Sequence, residues 1–231
     1  MKPILFNTEM VRAILDGRKT QTRRLIKVPV LYEVSELPDR IDRVTLPWAD
    51  YQFTWHGKAI GGFELKAPYH PSDVLWVRET WCRIGNPKAG RPMHYCYRAD
   101  MSDPFKDDMG FIACWRPSIH MPREAARLFL QVKDVRMERL KDMSEEDAFA
   151  EGYKGICPGD HTVYFADGNA EPCHVGGLDC SYDYWYCNHS IPEAFGRDIW
   201  DKTVKPADLP RYGWEANPWV WVIEFERRES E

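Results

Sequence analysis

"ARLFLQVKDVRMERLKDMSEEDAFAEG", residues 126–152, changes its hydrophobic period halfway along, and that change decides the class of the fold. Over 126–135, Leu128, Leu130 and Val132 alternate with Arg127, Phe129 and Gln131. A period of two predicts a strand with one face buried. The second half reads as a short helix. Ser144 is its N-cap, Asp147 takes the capping-box position and Gly152 stops it.

Working outward, "SDVLWVRETW" (72–81) is a turn followed by β-branched and aromatic residues, which predicts a buried strand. "MHYCYRAD" (93–100) suits its hairpin partner, and "NPWVWVIEFER" (217–227) is a closing strand. Thr8 can cap a helix whose Met10, Val11, Ile14 and Leu15 share a face, with Gly17 just past its end. "AFGRDIWDKTV" (194–204) predicts a short helix through Trp200. Residues 28–71 have no clean period and read as an irregular insertion with one or two short strands. Residues 154–192 read as a second, loop-like insertion rich in Cys, His and Gly. There is no internal repeat and no low-complexity linker, so one domain spanning 1–231 is expected. Few helices among mostly antiparallel strands predict an α+β fold built on a small mixed β-barrel with flanking helices.

The totals bound the function. A chain of 231 residues with 44% hydrophobic and 29% charged residues can bury a core. Its net charge of −5 means that affinity for nucleic acid must come from a local patch. The opening segment supplies one, with Lys2, Arg12, Arg18, Lys19, Arg23, Arg24 and Lys27 against Glu9 and Asp16. No apolar run approaches the roughly 18 residues of a membrane span. "MKPILFNTEM" is too short for a secretory signal and meets Glu9 too soon, so a cytoplasmic protein with no membrane partner is expected. Seven cysteines at irregular spacings do not form a disulfide framework, and reduced thiols are the expectation. Ten Trp and eleven Tyr serve core packing or offer stacking surfaces for bases.

"LDGRKTQTRRLIK" (15–27) carries the chemistry. Lys19 and Thr22 stand three apart, so a single helical turn or tight bend would point them the same way. A Thr hydroxyl attacks only when its proton is removed, and a Lys removes it only when neutral. Burial and the like charges of Arg18, Arg23 and Arg24 push Lys19 in that direction. The residues alone leave the alternative open that Lys19 is one more solvated cation. Glu151 ends the 144–152 helix, where a carboxylate is unfavourable for the helix dipole. A charge kept there suggests a purpose.

"ILDGRKTQTRR" resembles the signature of the ASCH family, whose fold is a PUA-like β-barrel, through Gly17, Arg18, Lys19, Thr22 and Arg24. "DVLWVRE", "LQVKDVRMERLKDMSEEDAFAEG" and "WVWVIEF" resemble the family's later elements in order, with Leu140, Met143, Ser144 and Ala148 keeping register. The whole chain is similar to long ASCH proteins of prophages. In the small bacterial members that are N4-acetylcytidine amidohydrolases, the resemblance places the catalytic Lys, Thr and Glu on Lys19, Thr22 and Glu151. It implies that Thr22 attacks an acyl carbon, Lys19 takes its proton and Glu151 orients Lys19 or shuttles a proton to the leaving amine. Arg18, Arg23 and Arg24 are then the substrate-binding cations. The implied substrate is N4-acylated cytidine or a related modified nucleobase, with no cofactor required. The rival reading is a non-catalytic RNA- or DNA-binding module, or a nuclease, using the same basic cleft.

Cys157, Cys173, Cys180 and Cys187, with His161, His174 and His189, crowd the second insertion and leave a structural zinc site open. No C-x-x-C pair accompanies them, so unligated thiols are the alternative. Trp76, Trp81, Trp219 and Trp221 fall on strands and suit core or pocket wall, His120 is expected to be structural, and Trp214 can offer an aromatic wall to a base.

Overall fold

The computed structural model describes residues 1–26, 40–46, 49–55, 58–86, 90–101, 114–154, 162–164, 170–172 and 190–228. In chain order the strands are β1 (Lys2–Leu5), β2 (Gln21–Leu25), β3 (Arg40–Leu46), β4 (Ala49–Trp55), β5 (Lys58–Leu65), β6 (Val74–Arg78), β7 (Trp81–Asn86), β8 (Arg91–Tyr97), β9 (Phe129–Arg139), β10 (Thr162–Tyr164), β11 (Ala170–Pro172) and β12 (Trp219–Arg228). The helices used below are α1 (Thr8–Leu15), α2 (Glu145–Ala150) and α3 (Ile191–Phe195). The class is α+β, with sheets dominating and helices short. The chain divides into two compact units, one of residues Met1–Thr20, Tyr69–Asp134 and Glu224–Glu231, the other of Gln21–Pro68 and Val135–Ile223.

In the first unit the strand order is β1-β6-β9-β12. β1 runs parallel to β6, with Lys2 opposite Leu75, and β6 is antiparallel to β9, with Val74 opposite Gln131. Asn7, not Thr8, caps α1: its side chain accepts from the Met10 N–H at 2.8 Å. Asn is at least as good a cap as Thr, and the displaced Thr8 takes the first helical position. α1 buries Val11, Ala13 and Ile14. It ends where Gly17, at φ +75°, lets the Gly17 and Arg18 N–H groups reach the Ile14 and Ala13 carbonyls at 3.1 and 2.9 Å.

The strand expected over 72–81 breaks after Arg78, so residues 93–100 pair elsewhere. Glu79 is fully buried and its carboxylate takes a two-point bond from Arg127 at 2.9 and 3.0 Å. Trp81 exchanges backbone bonds with Arg116 and packs with Met121 and Ala125 in a separate small core. These different partners turn β7 away from β6, and β8 is the hairpin partner of β7. Gly85, at φ +140°, sits at the register shift of that hairpin, and a Cβ there would overlap the Pro92 carbonyl oxygen.

In the second unit the order is β9-β12-β2. β9 starts three residues later than the alternation suggested because residues Arg123–Ala125 form a 3₁₀ turn after Pro122, and it runs on to Arg139. The first insertion holds more strand than expected, an antiparallel sheet in the order β3-β4-β5 with Trp55 opposite Lys58. Charged residues and two glycines scattered among its β-branched and aromatic positions hide the alternation. Within 154–192, β10 and β11 form a short antiparallel pair.

α2 forms as its sequence dictates. The Ser144 side chain accepts from the Asp147 N–H, and the Asp147 carboxylate accepts from the Ser144 N–H, both at 3.1 Å. At its end Gly152, at φ +87°, and Tyr153 donate to Phe149 and Ala148, closing a Schellman turn. Ala148 and Tyr153 join a core with Leu140, Met143, Phe195, Trp200 and Trp214. Gly196 continues α3 into a π-helical turn (Gly196–Trp200), where the Trp214 ring leaves no room for a Cβ. None of the sheets closes on itself among the described residues, and no helix there is long and apolar enough to cross a membrane.

Candidate functional site

The stretch that the sequence singled out is buried. Lys19 and Thr22 are each 2% exposed, Arg23 is 5% and Glu151 6%. With Gln21 and Glu79 they make up the buried polar and charged side chains among the described residues. Burying such groups costs several kcal/mol each unless partners compensate, so their partners matter.

In the second unit the partners form one cluster. Residues 21–25 are strand, not the helical turn that would have aligned Lys19 with Thr22. Alternation along β2 sends Gln21 and Arg23 to one face. The Gln21 amide donates to both the Asp147 carbonyl and carboxylate, at 2.9 and 2.8 Å. The Arg23 guanidinium meets three carboxylates: Asp147 at 3.0 Å, Glu138 at 3.3 Å and Glu151 at 3.5 Å. Arg136 bonds Glu138 and stands 3.8 Å from Asp147. The Glu151 carboxylate thus has a buried counter-charge that offsets its place at a helix C-terminus.

Burial pushes the Asp147 carboxyl up, but the Gln21 amide, the Ser144 N–H and the charges of Arg23 and Arg136 outweigh it and hold the group below the usual Asp value. The Arg23 Nε–H is buried and has no acceptor among the described residues. A buried donor without a partner costs free energy until a polar atom meets it. The Trp219 Nε1–H is likewise buried without an acceptor, and Arg139 lies over that indole at 4.4 Å.

Lys19 belongs to the first unit. Its backbone N–H donates to Ala13, the same carbonyl that takes Arg18, so the Gly17 turn fixes where it leaves α1. Its Nζ lies 5.6 Å from the centre of the Phe6 ring, and Phe6 packs on Phe225 with ring centres 6.1 Å apart. Arg18 is bonded to Asp16 at 2.9 Å, and Arg24 is half-buried on β2.

The structure therefore joins Arg23 to Glu151 and puts Thr22 beside Arg23 in the strand. Gln21, Glu138 and Asp147 were not anticipated as members. Their signal was present as spacing: Gln21 and Arg23 two apart on a strand, Asp147 and Glu151 four apart on one helix face. Trp76, Trp81, Trp214 and Trp221 are buried, whereas His120 is exposed. Cys157, Cys173, Cys180 and Cys187, with His161, His174 and His189, lie outside the described residues. Among the described residues no group of three or more His, Cys, Asp or Glu is placed to hold a metal. Comparison with family models, curated proteins and solved structures returns no match for the chain.

Proposed function

We propose that this chain is an ASCH-type amidohydrolase of PUA-like design that removes an acyl group from N4-acylated cytidine or a related modified nucleobase. The observation that carries the reading is burial: the Lys, Thr and Glu singled out by the sequence are all under a tenth exposed. A phosphate-binding role would want Lys19 and Arg23 at the surface, and both are inside.

In this reading Lys19, in its neutral form, accepts the Thr22 hydroxyl proton as Thr22 Oγ bonds to the acyl carbon. Two residues, Thr20 and Gln21, lie between them along the chain. Collapse of the tetrahedral species breaks the C–N bond, and the leaving amine takes a proton from Lys19 or Glu151. Water then hydrolyses the acyl ester on Thr22 and restores the hydroxyl. Arg23 holds Glu151 in place, and its Nε–H is a donor for a substrate oxygen.

The test is a panel of N-acyl nucleosides incubated with the intact protein and with Thr22→Ala. The expected result is acyl release by the parent, insensitive to salt, and none by Thr22→Ala with its circular dichroism unchanged. Equal turnover by both proteins would overturn the mechanism. Salt-sensitive RNA or DNA binding without turnover would favour a nucleic-acid-binding module instead.

A further inference from the structure

β7 and β8 carry a pair of cysteines that the reading above does not use. Cys82 lies directly opposite Cys96 in the antiparallel register, and both are free thiols. Trp81 and Arg116 exchange both backbone bonds, so Trp81 turns its peptide groups away from β8 and Trp81–Tyr97 is a non-hydrogen-bonded pair. The alternation of an antiparallel ladder then makes Cys82–Cys96 a hydrogen-bonded pair, with Cα atoms about 5.5 Å apart. That separation falls within the usual disulfide span of about 4.4–6.8 Å. Directly opposed residues also share a face of the ladder, so the two side chains leave it on the same side. Access is unequal. Cys82 is buried at 1% exposure whereas Cys96 is half-buried.

We propose that Cys82 and Cys96 form an oxidisable dithiol, converted to a cross-strand disulfide by a hydroperoxide. The Cys96 thiolate attacks the distal peroxide oxygen, the O–O bond breaks and the alcohol or water leaves, giving a sulfenic acid on Cys96. The Cys82 sulfur then attacks the Cys96 sulfur, the S–S bond forms and the S–OH oxygen departs as water. Two thiols lose two electrons and two protons, and the peroxide is reduced by the same two electrons. Burial pushes the Cys82 thiol up to about 11, and the neighbouring Cys96 and Cys114 add to the shift; burial raises Cys96 as well. Both groups are therefore protonated at neutral pH, and the reaction accelerates as the pH rises.

The experiment treats the folded full-length protein with hydrogen peroxide at neutral and alkaline pH, blocks free thiols with an alkylating agent and maps disulfides by peptide mass spectrometry without reduction. The expected product links the peptide of Cys82 to that of Cys96, forms faster at alkaline pH, is unchanged in Cys114→Ser and is reversed by dithiothreitol. Both thiols remaining alkylatable after oxidation, or Cys96 linked to Cys114 as the main product, would overturn the proposal. Because the parent protein carries the decisive measurement, a misfolded variant does not affect the outcome.

Discussion

The Arg23 guanidinium and the Glu151 carboxylate, both buried, stand 3.5 Å apart, and the same guanidinium also meets Asp147 and Glu138. One cation thus serves three carboxylates, drawn from β9, α2 and the C-cap of α2. Removing it takes the buried guanidinium away from Glu151 and leaves Glu138 and Asp147 to Arg136 alone among these cations. Arg23→Ala is expected to cost about 3–5 kcal/mol of stability. Glu138→Gln, at the wetter edge of the cluster, should cost at most about 1 kcal/mol. Urea unfolding followed by tryptophan fluorescence measures both, and equal losses would mean that the guanidinium is not the hub.

Asp147 links that cluster to acid stability. Its carboxyl lies below the usual Asp value, so its contribution is present above the unfolded-state pKa of about 4 and is lost as the pH falls through the lower folded-state value. Gln21→Leu removes one donor that holds it down. The variant should be less stable than the parent at neutral pH, with the gap narrowing below about pH 4. A gap that is constant with pH would show that the Gln21 amide acts through packing alone.

Glu79 and Arg127 offer the opposite sign. Burial holds the Glu79 carboxyl above the usual glutamate value even with Arg127 beside it, and Arg127→Met, which strands the fully buried carboxylate, raises it further above the unfolded value of about 4.3. A raised acid favours the folded state below the unfolded pKa, and that advantage disappears as the pH climbs through the folded one. The variant should therefore be about 3–5 kcal/mol less stable than the parent at neutral pH and recover part of the difference in acid. Unfolding midpoints across the acid limb provide the check. No recovery would mean that Glu79 reaches water once Arg127 is gone.

Two hairpin glycines should respond differently to the same change. Gly85 combines φ +140° with a carbonyl in the way, whereas Gly90, at φ +74°, has open space around the missing Cβ. Gly90→Ala is expected to cost about 1–2 kcal/mol, the price of the left-handed backbone alone. Gly85→Ala should cost about 2–3 kcal/mol or more, because strand β8 must also shift. Thermal unfolding of the two variants side by side would detect the difference, and equal losses would contradict the overlap.

Local signals were legible where the backbone itself carries them. Ser144, Asp147 and Gly152 announce α2, and the run over 217–227 announces β12. The break between β6 and β7 was not legible, because Glu79 and Trp81 sit in an unbroken strand-like run and only their distant partners, Arg127 and Arg116, separate them. Strand β1 escaped notice for a related reason: four residues give too short a period to read, and its place is set by pairing with β6, some seventy positions away. The candidate residues Lys19, Thr22 and Glu151 were found by type and resemblance, yet the polar cluster that holds Glu151 came from bringing a strand and a helix face together.

The turn that ends α2 has an effect on what can follow it. Gly152 and Tyr153 bind back to the last helical carbonyls, and the Tyr153 ring is anchored among Ala148 and Phe195. That turn lies between Glu151 and the chain beyond residue 154. Engineered chains in which the residues beyond 154 are lengthened, shortened or replaced are therefore expected to keep the acid in place.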